Sequence, residues 1–62
     1  MRIYVVVAGE KYKGYIIVCM TTNEELARKE FESYDRTYHD YIILQCCDYN
    51  NNNWVELDKK EY

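Results

Sequence analysis

Apolar residues recur along this chain in four strand-like runs and one run with the period of a helix. The strand-like runs are residues 2–8, 15–20, 41–47 and 54–57, and the helix-like run covers about 22–36. Taken in order, they predict a ββαββ chain of the α+β class. We expect a four-stranded, mainly antiparallel sheet with one helix packed on one face.

The first two strands are expected to form a hairpin. Residues 2–8 are β-branched and aromatic, which favours a strand over a helix. The polar segment between Gly9 and Gly14 is typical of a hairpin loop. Residues 15–20 are apolar on both alternating faces. We therefore expect this second strand to be buried on both sides and to lie inside the sheet.

The helix is predicted to begin with a capping box, in which Thr22 is the N-cap and Glu25 follows three residues later. Ala27, Phe31 and Tyr34 have the spacing of a single apolar stripe, which would face the sheet. The exposed side carries acid–base pairs four residues apart, in the favourable order: Glu24–Arg28, Glu25–Lys29 and Glu32–Arg36.

The C-terminal part is expected to complete the sheet. Asn50–Asn53 predict a turn, because asparagine tolerates left-handed backbone conformations. The strand at 54–57 would pair back on 41–47, and the charged residues 58–62 are predicted to be a frayed tail. We expect residues 1–62 to form a single domain.

One helix is too narrow to cover a sheet of this size. Four strands about 4.8 Å apart span nearly 20 Å, whereas a helix is about 10 Å across. The helix side is expected to hold Ile3, Val5, Val7, Ile42, Leu44, Val55 and Leu57. The other side is expected to present Tyr4, Val6, Tyr41, Ile43, Gln45 and Trp54, with Arg2 and Glu56 at its rim. This aromatic surface is typical of a protein interface, and the alternative is a wet sheet face with nothing bound.

The short chain also favours association. An ordering cost of about 1.5 kcal/mol per residue, set against about 25 cal/mol per Å² of apolar burial, comes out near zero for such a small domain. A homodimer through the uncovered face or through a sheet edge would supply the missing burial. The three cysteines are an odd number and no secretory leader is recognisable, so we expect no disulfide framework and a cytoplasmic location.

Composition narrows the function classes. The net charge is −3 with both signs mixed along the chain, which disfavours general nucleic-acid binding. No apolar run approaches the roughly 20 residues of a membrane span. Eight tyrosines and one tryptophan in 62 residues suit a half-exposed sheet face and an interface, although tyrosine also favours strands by itself.

Catalytic and metal chemistry are disfavoured by spacing. Along an extended strand, His39 would lie roughly 23–26 Å from Cys46 and Cys47, too far for a nucleophile–base pair. Only Cys19 could approach His39 through the fold. Paired ligand sets of the zinc type are missing from the sequence. We predict a non-enzymatic protein without metal or cofactor.

The hairpin loop is a second candidate contact. Lys11, Tyr12 and Lys13 combine two positive charges with an aromatic ring and could meet a phosphate or an acidic partner. The loop has no phosphate-binding motif and no helix behind it, so a solvated tip is favoured.

The chain resembles a loose group of short phage and bacterial ββαββ proteins. The likeness is carried by Ile3-Tyr4-Val5-Val6, Gly9, Ile17-Val18, Thr21-Thr22, Glu24-Glu25, Ala27, Phe31 and Glu56-Leu57-Asp58. The resemblance implies a phage-encoded inhibitor that binds a host protein, such as a component of bacterial defence, and works as a homo-oligomer in the host cytoplasm. It assigns no catalytic residue.

Two other functions stay open at this point. The first is a nucleotide sponge, an oligomer that sequesters a small signalling ligand between subunits. Its aromatic residues would stack on bases, and Arg2, Lys11 and Lys13 would bind phosphates. The second is a nucleic-acid accessory protein.

Overall fold

A computed structural model describes residues 2–34, 39–48, 50 and 53–61. It confirms the α+β class and the order ββαββ. The five elements are β1 (Arg2–Glu10), β2 (Gly14–Thr21), α1 (Glu24–Ser33), β3 (Tyr41–Asp48) and β4 (Trp54–Glu61).

All four strands belong to one antiparallel sheet in the order β2-β1-β3-β4. The prediction that the second strand lies inside the sheet is wrong, because β2 is an edge strand. The reason is the route of the chain after β2. Helix α1 carries it back across the sheet, and β3 pairs with β1 on the side away from β2. The two central strands are therefore β1 and β3.

Helix α1 packs on one face of the sheet and forms the main core there. The strands contribute alternate residues to this core, and the helix contributes Ala27 and Phe31. The strand residues are Tyr4, Val6, Ala8, Ile42, Leu44 and Cys46. The predicted apolar stripe of the helix is confirmed, since Ala27 and Phe31 are buried and Tyr34 packs against the same cluster.

The sequence pattern predicts the wrong faces for the alternating side chains of β1. Tyr4 and Val6 lie under the helix, and Val5 and Val7 face the other way. Both alternating sets of β1 are apolar, so the pattern alone does not choose between them. The Tyr4 hydroxyl donates a 3.1 Å hydrogen bond to Glu24 of the helix, which lets its polar group be satisfied on the covered face.

The helix begins at Glu24, one residue later than a Thr22 cap would give. Asn23 is the N-cap, and its side chain accepts a hydrogen bond from the Leu26 N–H at 3.2 Å. The Asn23 N–H in turn donates to Thr21 Oγ1 at 3.0 Å. These contacts replace the predicted capping box.

One predicted acid–base pair of the helix is confirmed, because Glu24 accepts from Arg28 Nε at 2.9 Å. The helix ends at Ser33 rather than near residue 36. The predicted pair Glu32–Arg36 involves a residue outside the described part of the chain.

The fourth strand is longer than predicted, so the frayed tail is wrong for residues 58–61. β4 continues to Glu61, pairing with β3 as far as Tyr41. Its charged residues are held by ion pairs of 2.9 Å each, Lys60 with Glu32 on the helix and Lys59 with Glu61 along the strand. β3 has eight residues and gives the longer strand a full-length partner.

Candidate interaction surface

The face of the sheet opposite the helix carries a shallow apolar groove of about 380 Å³, which we call the open-face groove. It has lining residues on all four strands and runs obliquely across the sheet, from Tyr15 on β2 to Trp54 on β4. Seven side chains line it: Val5, Val7, Tyr15, Ile17, Met20, Gln45 and Trp54. None of the seven is charged, so an apolar group can enter the groove without leaving a charge desolvated.

A β-bulge brings the β2 side chains to this face. The pairing of β2 with β1 shifts between Val6, which lies opposite Cys19, and Val7, which lies opposite Ile17. Val18 is thus the extra residue of the bulge, and it packs toward the helix-side core. The shift sets Tyr15, Ile17 and Met20 on the same side of the strand although their spacing is uneven.

The groove has a buried floor and exposed walls. Val5 and Val7 form the floor and are only 2% and 6% exposed, even though no helix covers them. Neighbouring side chains of the sheet shield them. The walls Tyr15, Met20 and Trp54 remain 53–67% exposed. An aromatic and methionine wall around an apolar floor is the kind of surface that anchors protein partners.

The part of the open face around Tyr41 and β4 is more polar, and its Lys59 and Glu61 side chains are paired with each other. Tyr41 lies over Gly9, where a Cβ would clash with the tyrosine ring. Lys59 Nζ lies 6.0 Å from the centre of the Tyr41 ring. The hydrogen bond and charge of Glu61 raise the pKa of Lys59, and the same contact with Lys59 lowers the pKa of Glu61.

Three of the predicted contact residues lie on the open face: Tyr41, Ile43 and Trp54. They do not form one cluster. Trp54 is opposite Cys47 at one end of β3, whereas Tyr41 is opposite Glu61 at the other end. These ends are six residue steps apart along the strand, which is about 20 Å. Only Trp54 of the three lines the groove.

Two predicted contact residues lie on the wrong face. Tyr4 is 7% exposed and belongs to the core beneath the helix. Arg2 follows the same alternation as Tyr4 and lines a different, helix-side cavity together with Cys46, Val55 and Leu57. Both errors follow from the reversed assignment of β1, and neither side chain reaches the groove.

The predicted loop residues Lys11, Tyr12 and Lys13 form the turn between β1 and β2. Tyr12 is fully exposed and has a positive φ of 68°. The Lys11 N–H donates to Asp40 Oδ2 at 2.8 Å, and Lys13 Nζ lies 3.6 Å from Glu10. The loop is thus an exposed tip held by contacts with Asp40 and Glu10, and none of its three residues lines the groove.

Sequence reasoning missed five of the seven groove residues, namely Val5, Val7, Tyr15, Ile17 and Met20. A signal was present in β2, which is uncharged from Gly14 to Thr21 and apolar on both faces. Taken alone, that pattern predicts a strand buried on both sides. In an edge strand the same pattern means exposed apolar surface.

The three cysteines and His39 make separate contacts. Cys46 faces the helix-side core, and Cys47 is buried with its thiol directed to the Asp48 carbonyl at 3.5 Å. Burial, followed by the charge of Glu30, raises the pKa of the Cys19 thiol, which favours the unreactive protonated form. The imidazole Nδ1 of His39 is hydrogen-bonded to the Tyr34 hydroxyl at 2.5 Å.

Within the described ranges, no group of three or more His, Cys, Asp or Glu side chains is arranged to hold a metal ion. The same part of the chain contains no helix long and apolar enough to cross a membrane. Comparisons with protein-family models, curated proteins and solved structures gave no match to this chain.

Proposed function

We propose that this chain is a small non-enzymatic binding protein whose open-face groove receives apolar side chains of a partner protein. The observation that carries the proposal is the groove itself, with an uncharged lining and exposed Tyr15, Met20 and Trp54 at its walls. Tryptophan and tyrosine dominate the binding energy of many protein interfaces, because they bury large areas with few rotatable bonds.

The shape of the groove favours a protein partner over a small ligand. The groove is open along the sheet, so a compact molecule would stay largely in contact with water, whereas drug-sized ligands are usually mostly enclosed. A partner surface can place one or two apolar side chains in the groove and seal its rim. Gln45 offers a hydrogen-bonding group inside the lining, which can orient that surface.

The nucleotide-sponge alternative has less support from the arrangement of basic groups. Arg2 stands at one end of β1, and Lys11 and Lys13 follow its other end, roughly 26 Å away along the strand. These three side chains therefore cannot bind the same phosphate within one subunit. The nucleic-acid alternative is disfavoured by the net charge of −3.

The resemblance to short phage and bacterial proteins adds a narrower prediction. The partner would be a host protein, such as a defence component, and the chain would inhibit it by occupying its surface. This assignment of the target stays a prediction, separate from the proposal that the groove is the contact surface.

The test uses photocrosslinking followed by measured affinities. A photoreactive amino acid replaces Trp54 in one variant and Val55 in another, and each is exposed to bacterial lysate. These neighbours are both 53% exposed but point to opposite faces of β4. A protein that crosslinks from position 54 and not from position 55 is identified, produced separately and titrated against the unmodified chain.

The titration decides the proposal. We expect Trp54→Ala to weaken binding about 30-fold, as loss of an interface tryptophan does, and Val55→Ala to leave it within about twofold. Circular dichroism checks that both variants remain folded. Equal crosslinking from both positions, or equal affinity of Trp54→Ala and the unmodified chain, would overturn the proposal.

A further inference from the structure

One row of paired residues crosses the open face and changes from apolar to acidic along its length. Met20 of β2 is paired with Val5 of β1, which is paired in turn with Gln45 of β3. Gln45 is then paired with Glu56 of β4. Residues directly opposite each other in an antiparallel sheet point to the same face. The first three side chains line the open-face groove, so Glu56 lies on the same face at the β4 border of the groove. We call these four residues the cross-strand row.

Glu56 is exposed, and within the described ranges it belongs to no ion pair. The other two charged side chains of this face neutralise each other. Lys59 and Glu61 lie opposite Ile43 and Tyr41 of β3, and they form an ion pair of 2.9 Å. The hydrogen bond and charge of Glu61 raise the pKa of Lys59, and the charge of Glu56 adds to this effect. The ammonium group is nevertheless held by Glu61, which leaves the carboxylate of Glu56 without a direct counter-ion beside the groove.

Trp54 is the nearest aromatic side chain to this carboxylate along β4. It lies two positions before Glu56 on the same face, about 7 Å away along a regularly paired part of the strand. A partner that covers the half-exposed indole ring would also remove water from Glu56. A carboxylate that loses water without gaining a counter-ion is strongly disfavoured. A wholly apolar partner surface therefore fits the β2 side of the groove better than the β4 side.

We propose that the partner protein places an arginine against Trp54 and Glu56, while an apolar side chain of the same surface occupies the groove over Val5. This inference rests on the proposed function, because it names the chemistry of the partner that the groove receives. A guanidinium group can stack on an indole ring and donate two parallel hydrogen bonds to a carboxylate. Lysine lacks this planar fork, so arginine fits the pair of side chains better.

The cross-strand row sets the order and the spacing of the two partner groups. Met20 and Val5 are apolar, Gln45 offers an amide, and Glu56 is acidic, so polarity increases from β2 to β4. β3 separates β1 from β4, which places Val5 two strand spacings, or about 10 Å, from Glu56. The partner surface should therefore present its guanidinium group about 10 Å from its apolar anchor.

The test begins with a random peptide library displayed on phage and selected against the unmodified chain. Peptides that bind the unmodified chain but not Trp54→Ala are retained, because their binding requires the groove. We expect the retained peptides to combine arginine with a large apolar residue. One of them is then synthesised in two forms, with its arginine and with citrulline, which has nearly the same shape but no charge. Calorimetry measures the affinity of both forms.

The affinities of matched variants decide the inference. Glu56→Gln should weaken binding of the arginine peptide about tenfold, since a hydrogen-bonded charge pair is lost. Citrulline should weaken binding to the unmodified chain by a similar factor and should cause little further loss with Glu56→Gln. Glu25→Gln is the matched control, because Glu25 is an exposed carboxylate on helix α1, on the other side of the sheet. It should leave the affinity within about twofold, and circular dichroism checks that each variant is folded.

The outcomes separate this inference from the proposed function. Peptides that require Trp54 but bind Glu56→Gln as tightly as the unmodified chain would overturn the arginine contact and leave the groove as the binding surface. Losses from citrulline and Glu56→Gln that simply multiply would also overturn the direct contact, because the two groups would then act independently. A selection without any peptide that requires Trp54 would overturn both the inference and the proposed function.

Discussion

The two faces of the sheet bury their central residues by different means. Val6 is fully buried beneath helix α1, whereas its neighbour Val5 is 2% exposed on the face that has no helix. Among the described residues, Val5 is flanked by Met20 and Gln45 of the neighbouring strands. The comparison shows that a face can bury its central residues and still expose apolar surface. The side chains that shield Val5 are themselves in contact with solvent.

The faces also differ in how their polar groups are used. On the covered face, Tyr4 donates to Glu24, and Glu24 accepts from Arg28, which ties the helix to the sheet. The lining of the open-face groove contains one polar side chain, Gln45, and no charge. The first arrangement favours a fixed internal contact, and the second suits an incoming surface.

The largest expected effect is the loss of the main helix anchor. Phe31 is 1% exposed, so Phe31→Ala should lower the free energy of unfolding by about 3–5 kcal/mol, enough to leave a chain of this size largely unfolded. Trp54→Ala removes a larger side chain from the open face but should cost only about 1 kcal/mol, because half of that side chain is exposed.

Urea unfolding followed by circular dichroism measures both variants. Phe31→Leu provides a folded reference, with an expected loss of about 1–1.5 kcal/mol. If Trp54→Ala were as destabilising as Phe31→Ala, the open face would be a second core rather than a binding surface.

A closer comparison uses the adjacent valines. Val6→Ala should lower stability by about 2 kcal/mol, since the gap is enclosed by the helix and the sheet. Val5→Ala should cost about 1 kcal/mol or less, because the flexible side chains of Met20 and Gln45 can close over the smaller residue. Chemical denaturation of the two variants under the same conditions gives the difference, and an equal loss would argue that the open face is as rigid as the covered one.

Substitution of the helix N-cap is expected to have an intermediate effect on stability. Asn23→Ala removes the acceptor for the Leu26 N–H and should cost about 1 kcal/mol. Thr22→Ala is the control and should change stability by less than about 0.5 kcal/mol. Thermal unfolding distinguishes the two. A larger loss for Thr22→Ala would restore the capping box that the sequence predicts.

The smallest expected effect is the loss of stability at acidic pH when Glu24 becomes protonated. Hydrogen bonds from Arg28 and then Tyr4 lower the pKa of Glu24 from its usual 4.5, so the folded state favours the carboxylate. The resulting stability is present above pH 4.5 and is lost as the pH falls through the lowered value. Glu24→Gln should therefore be less stable than the unmodified chain at pH 7, and the two should converge once the pH falls below the lowered pKa of Glu24. A constant difference across this range would contradict a role for the charge.

Element type and order were predictable from the sequence because the periodicities are strong. The stripe of Ala27 and Phe31 identified the helix, and β-branched runs identified the strands. The face assignment of β1 failed because Tyr4 and Val6 are no less apolar in pattern than Val5 and Val7. Only the contact of Tyr4 with the helix distinguishes the two faces, and that contact joins residues 20 positions apart.

The candidate site was only partly predictable for a related reason. Trp54 was identified from its strand position, but Tyr15, Ile17 and Met20 were interpreted as buried. Their exposure depends on β2 being at the edge, which is decided by the pairing of β1 with β3. The bulge at Val18 also breaks the simple alternation by which the faces of a strand are assigned.

The seam between β1 and β3 has a consequence for how fast the chain folds. Each half of the molecule is a local hairpin, β1 with β2 and β3 with β4, which closes through a short connection. The seam instead joins Arg2 to Asp48, which are 46 positions apart in the chain. Because such a long loop must close before its contacts are gained, we expect this step to limit the folding rate, while the hairpins form within microseconds.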